Sequence, residues 1–200
     1  MKKIFFLLII LISPTFLRAQ IAMEDIGKYT YYYGKDSKNT IYQLSYKKLG
    51  GQRLGTDGEF KGVVSPNYRY VEEKTRKGVI KYWKLSFTGR SGRKIGFTIN
   101  KGSKILIRLF NDNVMTMITN DAGVDEINEY GTWFHATVKL SASDYNKIVQ
   151  RGIKKIRFET YPKVFDVEYK YDEIGIFLQE ADSILKEKIN NQTDRMTKGF

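Results

Sequence analysis

The feature that most constrains this chain is a repeated alternation of apolar and polar side chains. In 104–110, Ile105, Ile107 and Leu109 alternate with Lys104 and Arg108. The same period of two recurs in 79–88 and 132–140. Successive side chains of a strand point to opposite faces of a sheet. The alternation therefore predicts antiparallel strands with one buried face and one wet face.

Other segments extend this pattern. Further strands are predicted at 29–33, 40–46, 94–100, 114–119, 153–160 and 164–171, the last with Phe165, Val167, Tyr169 and Tyr171 inward and Asp166, Glu168 and Lys170 outward. Residues 20–28 are predicted to be a poorly ordered lead-in, and the glycine-rich 50–62 a mobile loop.

Two helices interrupt the strand pattern. Ser141 to Asp144 supply helix N-cap residues, and Gly152 ends that short helix. Near the C-terminus the spacing changes to that of one helical face. The residues on this face are Ile174, Phe177, Leu178, Ala181 and Leu185. The predicted fold is mainly β: an antiparallel β-sandwich or curled sheet with one short interposed helix and a C-terminal amphipathic helix.

The N-terminus has the layout of a secretory signal peptide. Met1 to Lys3 is a short positive segment, an apolar run follows from Ile4 to Ile12, and cleavage is predicted after Ala19. The domain prediction is therefore a signal peptide at 1–19, one β-rich domain at 20–190 and a polar tail at 191–200. Export to the periplasm or the medium is expected.

The formal charge is the unusual part of the composition. Removing 1–19 takes away Lys2, Lys3 and Arg18, which lowers the net charge from +12 to +9. Much of the excess lies in 74–111, which holds eleven basic residues and no Asp or Glu. The predicted anion-binding residues are Lys84, Arg90, Arg93, Lys94, Lys104 and Arg108. The competing interpretation is a solvated face whose lysines protect strand edges.

Several chemistries are excluded or disfavoured by residue type. The chain has no cysteine, so thiol catalysis and thiolate metal sites are excluded. Its one histidine, His135, is expected to be an outward or half-buried structural residue. The acidic segment Asn120 to Glu129 lacks the order of a calcium loop, and a solvated turn is expected there. No catalytic residue, metal or cofactor is predicted.

Three further segments carry a resemblance to a known group. They are 104–112, 138–141 and 152–157, and the signal ends in Leu17-Arg18-Ala19-Gln20. Together they resemble short uncharacterised secreted β-rich proteins of the Bacteroidetes type. The resemblance implies export and a β-rich fold, and it transfers no activity to any residue.

The function expected from these observations is that of an exported cell-envelope protein. It would be a non-enzymatic binding or structural module with a basic surface. Its ligands would be acidic glycan, lipopolysaccharide phosphates or extracellular DNA, because an exported protein does not meet cytoplasmic nucleic acid. One alternative is an enzyme acting on an extracellular polymer through carboxylates or a Tyr-Arg pair. Another is a subunit that docks on an envelope protein through the aromatic segment 29–46.

Overall fold

The computed structural model describes residues 20–46, 62–91, 98–126, 131–162 and 164–197. In this part of the chain the elements are β1 (Gln20–Ile26), β2 (Tyr29–Lys35), β3 (Asn39–Tyr46), β4 (Gly62–Thr75), β5 (Gly78–Ser91), β6 (Lys104–Leu109), β7 (Val114–Ile118), β8 (Asp121–Glu126), β9 (Thr132–Leu140), α1 (Ala142–Arg151), β10 (Ile153–Phe158), β11 (Phe165–Glu168) and α2 (Glu173–Thr197).

The strands form two antiparallel sheets. The larger has the order β1-β2-β3-β4-β5-β9-β8, and the smaller has the order β11-β10-β6-β7. Neither sheet closes on itself. The predicted fold class, with its short interposed helix and its C-terminal helix, is confirmed.

Two layers cover the inner face of the large sheet. Opposite β5 and β9 lies the small sheet, and the aromatic rings of Phe87 and Phe134 both meet that of Phe158 edge-on. Helix α2 packs on β3 and β4 and places Phe177 against Tyr29 of β2. One hydrophobic core therefore runs under both halves of the large sheet.

The helices follow the sequence pattern. All five residues of the predicted apolar face of α2, from Ile174 to Leu185, are at most 1% exposed. The side chain of Ser141 caps α1 by accepting a hydrogen bond from the backbone N–H of Asp144, at 3.1 Å. Gly152 ends α1 with φ at 65°, a left-handed value that favours glycine. Helix α2 continues to Thr197, so most of the predicted tail at 191–200 is helical.

Three strands were missed by the sequence interpretation: β1, β4 and β8. The lead-in predicted to be poorly ordered forms β1, which pairs with β2 along its whole length. Strand β4 lies between β3 and β5 and was not predicted. Its pattern is obscured because Tyr68 and Val71, on opposite faces, are both buried. A strand buried on both faces loses the alternation that identifies a half-buried one.

The last predicted strand is also corrected. β11 ends at Glu168, and Tyr171, predicted to point inward, is 73% exposed. Asp166, predicted to point outward, is only 6% exposed. Its carboxylate is held by Arg157 at 2.7 and 2.8 Å and by Lys155 at 2.8 Å. These cations explain why a carboxylate can be buried at this position.

Other predictions fall partly or wholly outside the described residues. The signal peptide at 1–19 does so entirely, as does nearly all of the glycine-rich segment 50–62. Of the predicted strand 94–100, the described part contains Thr98, which forms an isolated bridge with Tyr161. The acidic segment predicted to be a solvated turn forms β8, which pairs with β9.

Candidate anion-binding face

The predicted basic residues do not form one surface. Lys84 lies on the outer face of β5 in the large sheet, because its neighbours Leu85 and Phe87 mark the inner set. Lys104 and Arg108 lie on the outer face of β6 in the small sheet, opposite the buried Ile105 and Ile107. The two sheets pack through their inner faces, so Lys84 points away from the other two.

The remaining three predicted residues contribute less. The backbone of Arg90 belongs to β5, where it pairs with Trp133. Arg93 and Lys94 lie outside the described residues. Among the six predicted residues, Lys84 is therefore the one that lies on the large sheet and whose side chain the structure describes.

Lys84 has two cationic neighbours that the sequence interpretation missed. Arg69 of β4 is its direct partner on one side, and Lys139 of β9 is its direct partner on the other. Directly opposed residues of adjacent strands share a face of the sheet. These three residues, termed the cationic row, therefore lie side by side on the outer face.

The charges of the cationic row are not neutralised by contact with acids. Within the described residues, none of the three forms an ion pair with a carboxylate. Burial lowers the pKa of the Lys84 ammonium, and the positive charges of Arg69 and Lys139 lower it further. Burial likewise lowers the pKa of Arg69. Desolvation thus disfavours the charged forms of Lys84 and Arg69, and like-charged neighbours add to this effect at Lys84.

Arg69 also carries an unsatisfied donor. Its Nε is buried and has no hydrogen-bond partner. Leaving a buried donor unpaired costs about 1–3 kcal/mol. A guanidinium can give two parallel hydrogen bonds to a carboxylate or a phosphate, which makes Arg69 suited to pairing with such an anion.

Tyr82 supports the two lysines of the cationic row. The Nζ of Lys139 lies 4.5 Å from the centre of the Tyr82 ring, and that of Lys84 lies 5.3 Å from it. The Tyr82 hydroxyl donates to Oε2 of Glu73 at 3.0 Å. Burial and this hydrogen bond raise the pKa of Tyr82 to about 12. The ring therefore stays neutral and presents its electron-rich face to the ammonium groups.

Beside the cationic row, a line of short polar side chains crosses the whole large sheet. This polar row contains Asp25, Thr30, Ser45, Asn67, Ser86, Thr137 and Asp121, one from each strand in direct register. At its centre, Ser86 and Thr137 share a hydrogen bond of 2.8 Å, and Asn67 donates to Thr88 at 3.0 Å. The row members Asn67, Ser86 and Thr137 are buried. Their hydrogen bonds satisfy polar groups beneath the longer cations.

His135 lies half-buried on the same outer face, the position expected from the strand pattern. Its Nε2 lies 3.5 Å from Oδ1 of Asp121 on the adjacent strand β8. Opposite it, Gly123 leaves room for the imidazole, since a Cβ there would lie 2.9 Å from Cε1 of His135. The short β8 strand thus brings one carboxylate to the end of the polar row.

Among the described residues, no three side chains of the metal-ligating types converge on a point that could hold a metal ion. No described helix combines the length and the apolar character needed to cross a bilayer.

The aromatic segment 29–46 has a structural partner. Tyr29, Tyr31, Tyr33 and Tyr42 are all buried on the inner face of the large sheet. The Tyr42 hydroxyl donates to Oε1 of Gln192 in α2 at 2.9 Å, and that of Tyr29 donates to Glu180. Tyr29 and Tyr42 therefore contact α2, and the four buried rings do not form the exposed patch that would favour a docking subunit.

Comparison with known proteins gives no match. No protein-family model, no curated protein and no solved structure matches the chain. The resemblance to secreted Bacteroidetes-type proteins therefore stays a prediction, and the geometry of the outer face carries the functional argument.

Proposed function

We propose that this chain is an exported cell-envelope protein that binds an anionic ligand on the outer face of its large sheet. The observation that carries the proposal is the cationic row: Arg69, Lys84 and Lys139 lie side by side on adjacent strands with no ion-pair partner among the described residues. An anion lying across the row would relieve the repulsion within it and would offer an acceptor to the guanidinium of Arg69.

The binding part of the proposal is tested with a triple variant. The purified protein is titrated at low and high salt with three anions: an acidic glycan, lipopolysaccharide and DNA. Replacing Arg69, Lys84 and Lys139 with Gln is expected to weaken binding at least about tenfold, because each charged contact contributes about 1.5–3 kcal/mol before solvent screening is discounted. Binding by the native protein is expected to weaken as salt rises.

The small sheet supplies a matched control. Lys101, Lys104 and Arg108 are all exposed, and their replacement with Gln removes the same number of charges. If binding depends on the cationic row, this control keeps most of its affinity. If both triple variants lose affinity equally, net charge alone attracts the ligand. If the control alone loses it, the site lies on β6, at Lys104 and Arg108.

Export is tested separately. The full chain is expressed in a Gram-negative host, the cell is fractionated and the N-terminus of the protein is sequenced. We expect a periplasmic or secreted product that begins at Gln20, and retention in the cytoplasm when 1–19 are deleted. A cytoplasmic product that still carries Lys2 and Lys3 would contradict the proposal.

A further inference from the structure

The cationic row is part of a longer line of large side chains. Extending it through the register adds Gln43 of β3 and Tyr32 of β2, each directly opposite the next. These five residues, termed the cross-strand track, occupy five adjacent strands. With strands about 4.8 Å apart, the track spans roughly 20 Å. A line of side chains of this length suits an extended polymer better than a single small anion.

The two ends of the cross-strand track differ in charge. The end on β4, β5 and β9 is cationic, whereas the end on β2 and β3 carries the neutral phenol of Tyr32 and the neutral amide of Gln43. The adjacent polar row has the half-exposed hydroxyls of Thr30 and Ser45 at this neutral end. The Gln43 amide donates to Oγ of Ser45 at 2.7 Å, which fixes its orientation. Neutral donors and acceptors of this kind pair with hydroxyl groups.

Acids at both ends limit the charge density that the ligand can have. Asp25 and Asp121 end the polar row on β1 and β8, and both are exposed. A polymer with a charge on every unit would place anions beside these carboxylates and along the neutral end, where none of the described track residues supplies a cation. A polymer with spaced charges and many hydroxyls would avoid this repulsion.

The aromatic rings also argue against single-stranded nucleic acid. Such sites combine cations with a series of rings on which successive bases stack. Here the ring of Tyr82 is occupied by the ammonium groups of Lys84 and Lys139. The track itself contains one ring, that of Tyr32, which lies against Gly34. One ring can support one sugar or base, but it cannot stack a series.

We infer that the cross-strand track binds an extended acidic polysaccharide, with a carboxylate on the cationic row of Arg69, Lys84 and Lys139 and with hydroxyls at Gln43 and Tyr32. This inference rests on the proposed function and narrows its ligand to one class. The observation that supports this inference is that a cationic end and a hydroxyl-binding end lie on one line across the sheet.

The inference is tested with polymers of different charge spacing. Hyaluronan, which has one carboxylate for every second sugar, is compared with neutral dextran, inorganic polyphosphate and an oligothymidine strand by calorimetric titration of the purified protein. We expect hyaluronan to bind at least tenfold more tightly than the other three at the same salt concentration. Polyphosphate or oligothymidine binding as tightly as hyaluronan would overturn the inference while leaving the proposed anion binding intact.

A single variant tests the neutral end. Gln43→Ala removes one neutral hydrogen-bonding group and is expected to weaken hyaluronan binding about fivefold and leave polyphosphate binding unchanged. Gln150→Ala, at an exposed position of α1, is the matched control and should change neither. Equal hyaluronan affinity in both variants would refute the role of the neutral end. Failure of every polymer to bind would overturn the proposed function together with this inference.

Discussion

Replacing Gly89 with alanine tests how closely the large sheet packs against the Phe cluster of the core. Gly89 lies in β5 directly opposite Phe134 of β9, and the Phe134 ring lies over it. A Cβ at residue 89 would lie 1.8 Å from Cε1 of Phe134. Since carbon atoms in contact are about 3.5 Å apart or more, the ring would have to move by roughly 1.5–2 Å.

The Phe134 ring has little freedom to make that movement. Its centre lies 5.6 Å from that of Phe158 and 5.0 Å from that of Phe165, both in the small sheet. Moving it would disturb the contact between the two sheets. Overpacking of a core costs about 1–3 kcal/mol. We expect Gly89→Ala to lie near the top of that range, with a loss of about 3 kcal/mol in the free energy of unfolding.

A double-mutant cycle isolates this contact. Phe134→Leu alone is expected to cost about 1–2 kcal/mol, because it removes buried volume. In the double variant the smaller side chain makes room for the new methyl group. The free-energy cost of the double variant should therefore be at least about 1 kcal/mol smaller than the sum of the two single-variant costs. Equilibrium urea unfolding followed by circular dichroism measures all four free energies. Additivity within about 0.5 kcal/mol would refute the predicted clash.

Three further predictions concern the charges and the helix. Asp166→Asn should lower the free energy of unfolding by about 1–3 kcal/mol at neutral pH, since Arg157 and then Lys155 hold the pKa of this carboxyl below its usual value. The native protein should lose that advantage as pH falls through the lowered pKa of Asp166. The free energies of unfolding of the two proteins, measured in urea, should therefore converge in acid. A difference that stays constant with pH would contradict the ion pair. As pH rises, binding of the anionic ligand should begin to weaken at a lower pH than the pKa of an ordinary lysine predicts, because the pKa of Lys84 is lowered. Lys84→Arg keeps a positive charge at high pH, so the loss of affinity below the ordinary lysine pKa should disappear in this variant when binding is titrated against pH. If that loss of affinity persists, another group causes it. Phe177→Ala in α2 should cost about 3–5 kcal/mol in urea unfolding, because the ring is fully buried, and a cost below about 1 kcal/mol would mean that α2 does not pack as described.

The strands with a clear alternation of apolar and polar residues, and both helices, could be predicted from the sequence. In β6 and β9 one face is wet, so the alternation of Ile105 with polar neighbours and of Phe134 with His135 is visible in the chain. In α2 the spacing of Phe177 and Leu185 is equally visible. β4 was missed because tertiary contacts bury both of its faces, which no local pattern records.

The candidate site was only partly predictable, for a reason of topology. Lys84 lies in an acid-free run, and that composition drew attention to it. Arg69 and Lys139 become its neighbours through strand pairing, and the pairing of β5 with β9 skips the small-sheet strands β6 and β7 that lie between them in the chain. The same topology separates Lys84 from Lys104 and Arg108, although all three belong to one basic segment. Proximity in the sequence therefore grouped Lys84 with residues that lie on a different sheet.

Helix α2 joins the end of the described chain to its beginning. Lys188 pairs with Glu24 of β1 at 2.6 Å, and Glu180 pairs with Lys28 at 2.9 Å. Chains are synthesised from the N-terminus, so the tyrosines of β2 and β3 are made long before the helix that covers them. Until α2 is made, those rings form an uncovered aromatic surface, which is prone to association with other chains. The aromatic core beneath β2 and β3 is therefore completed only when the last described element of the chain has been made.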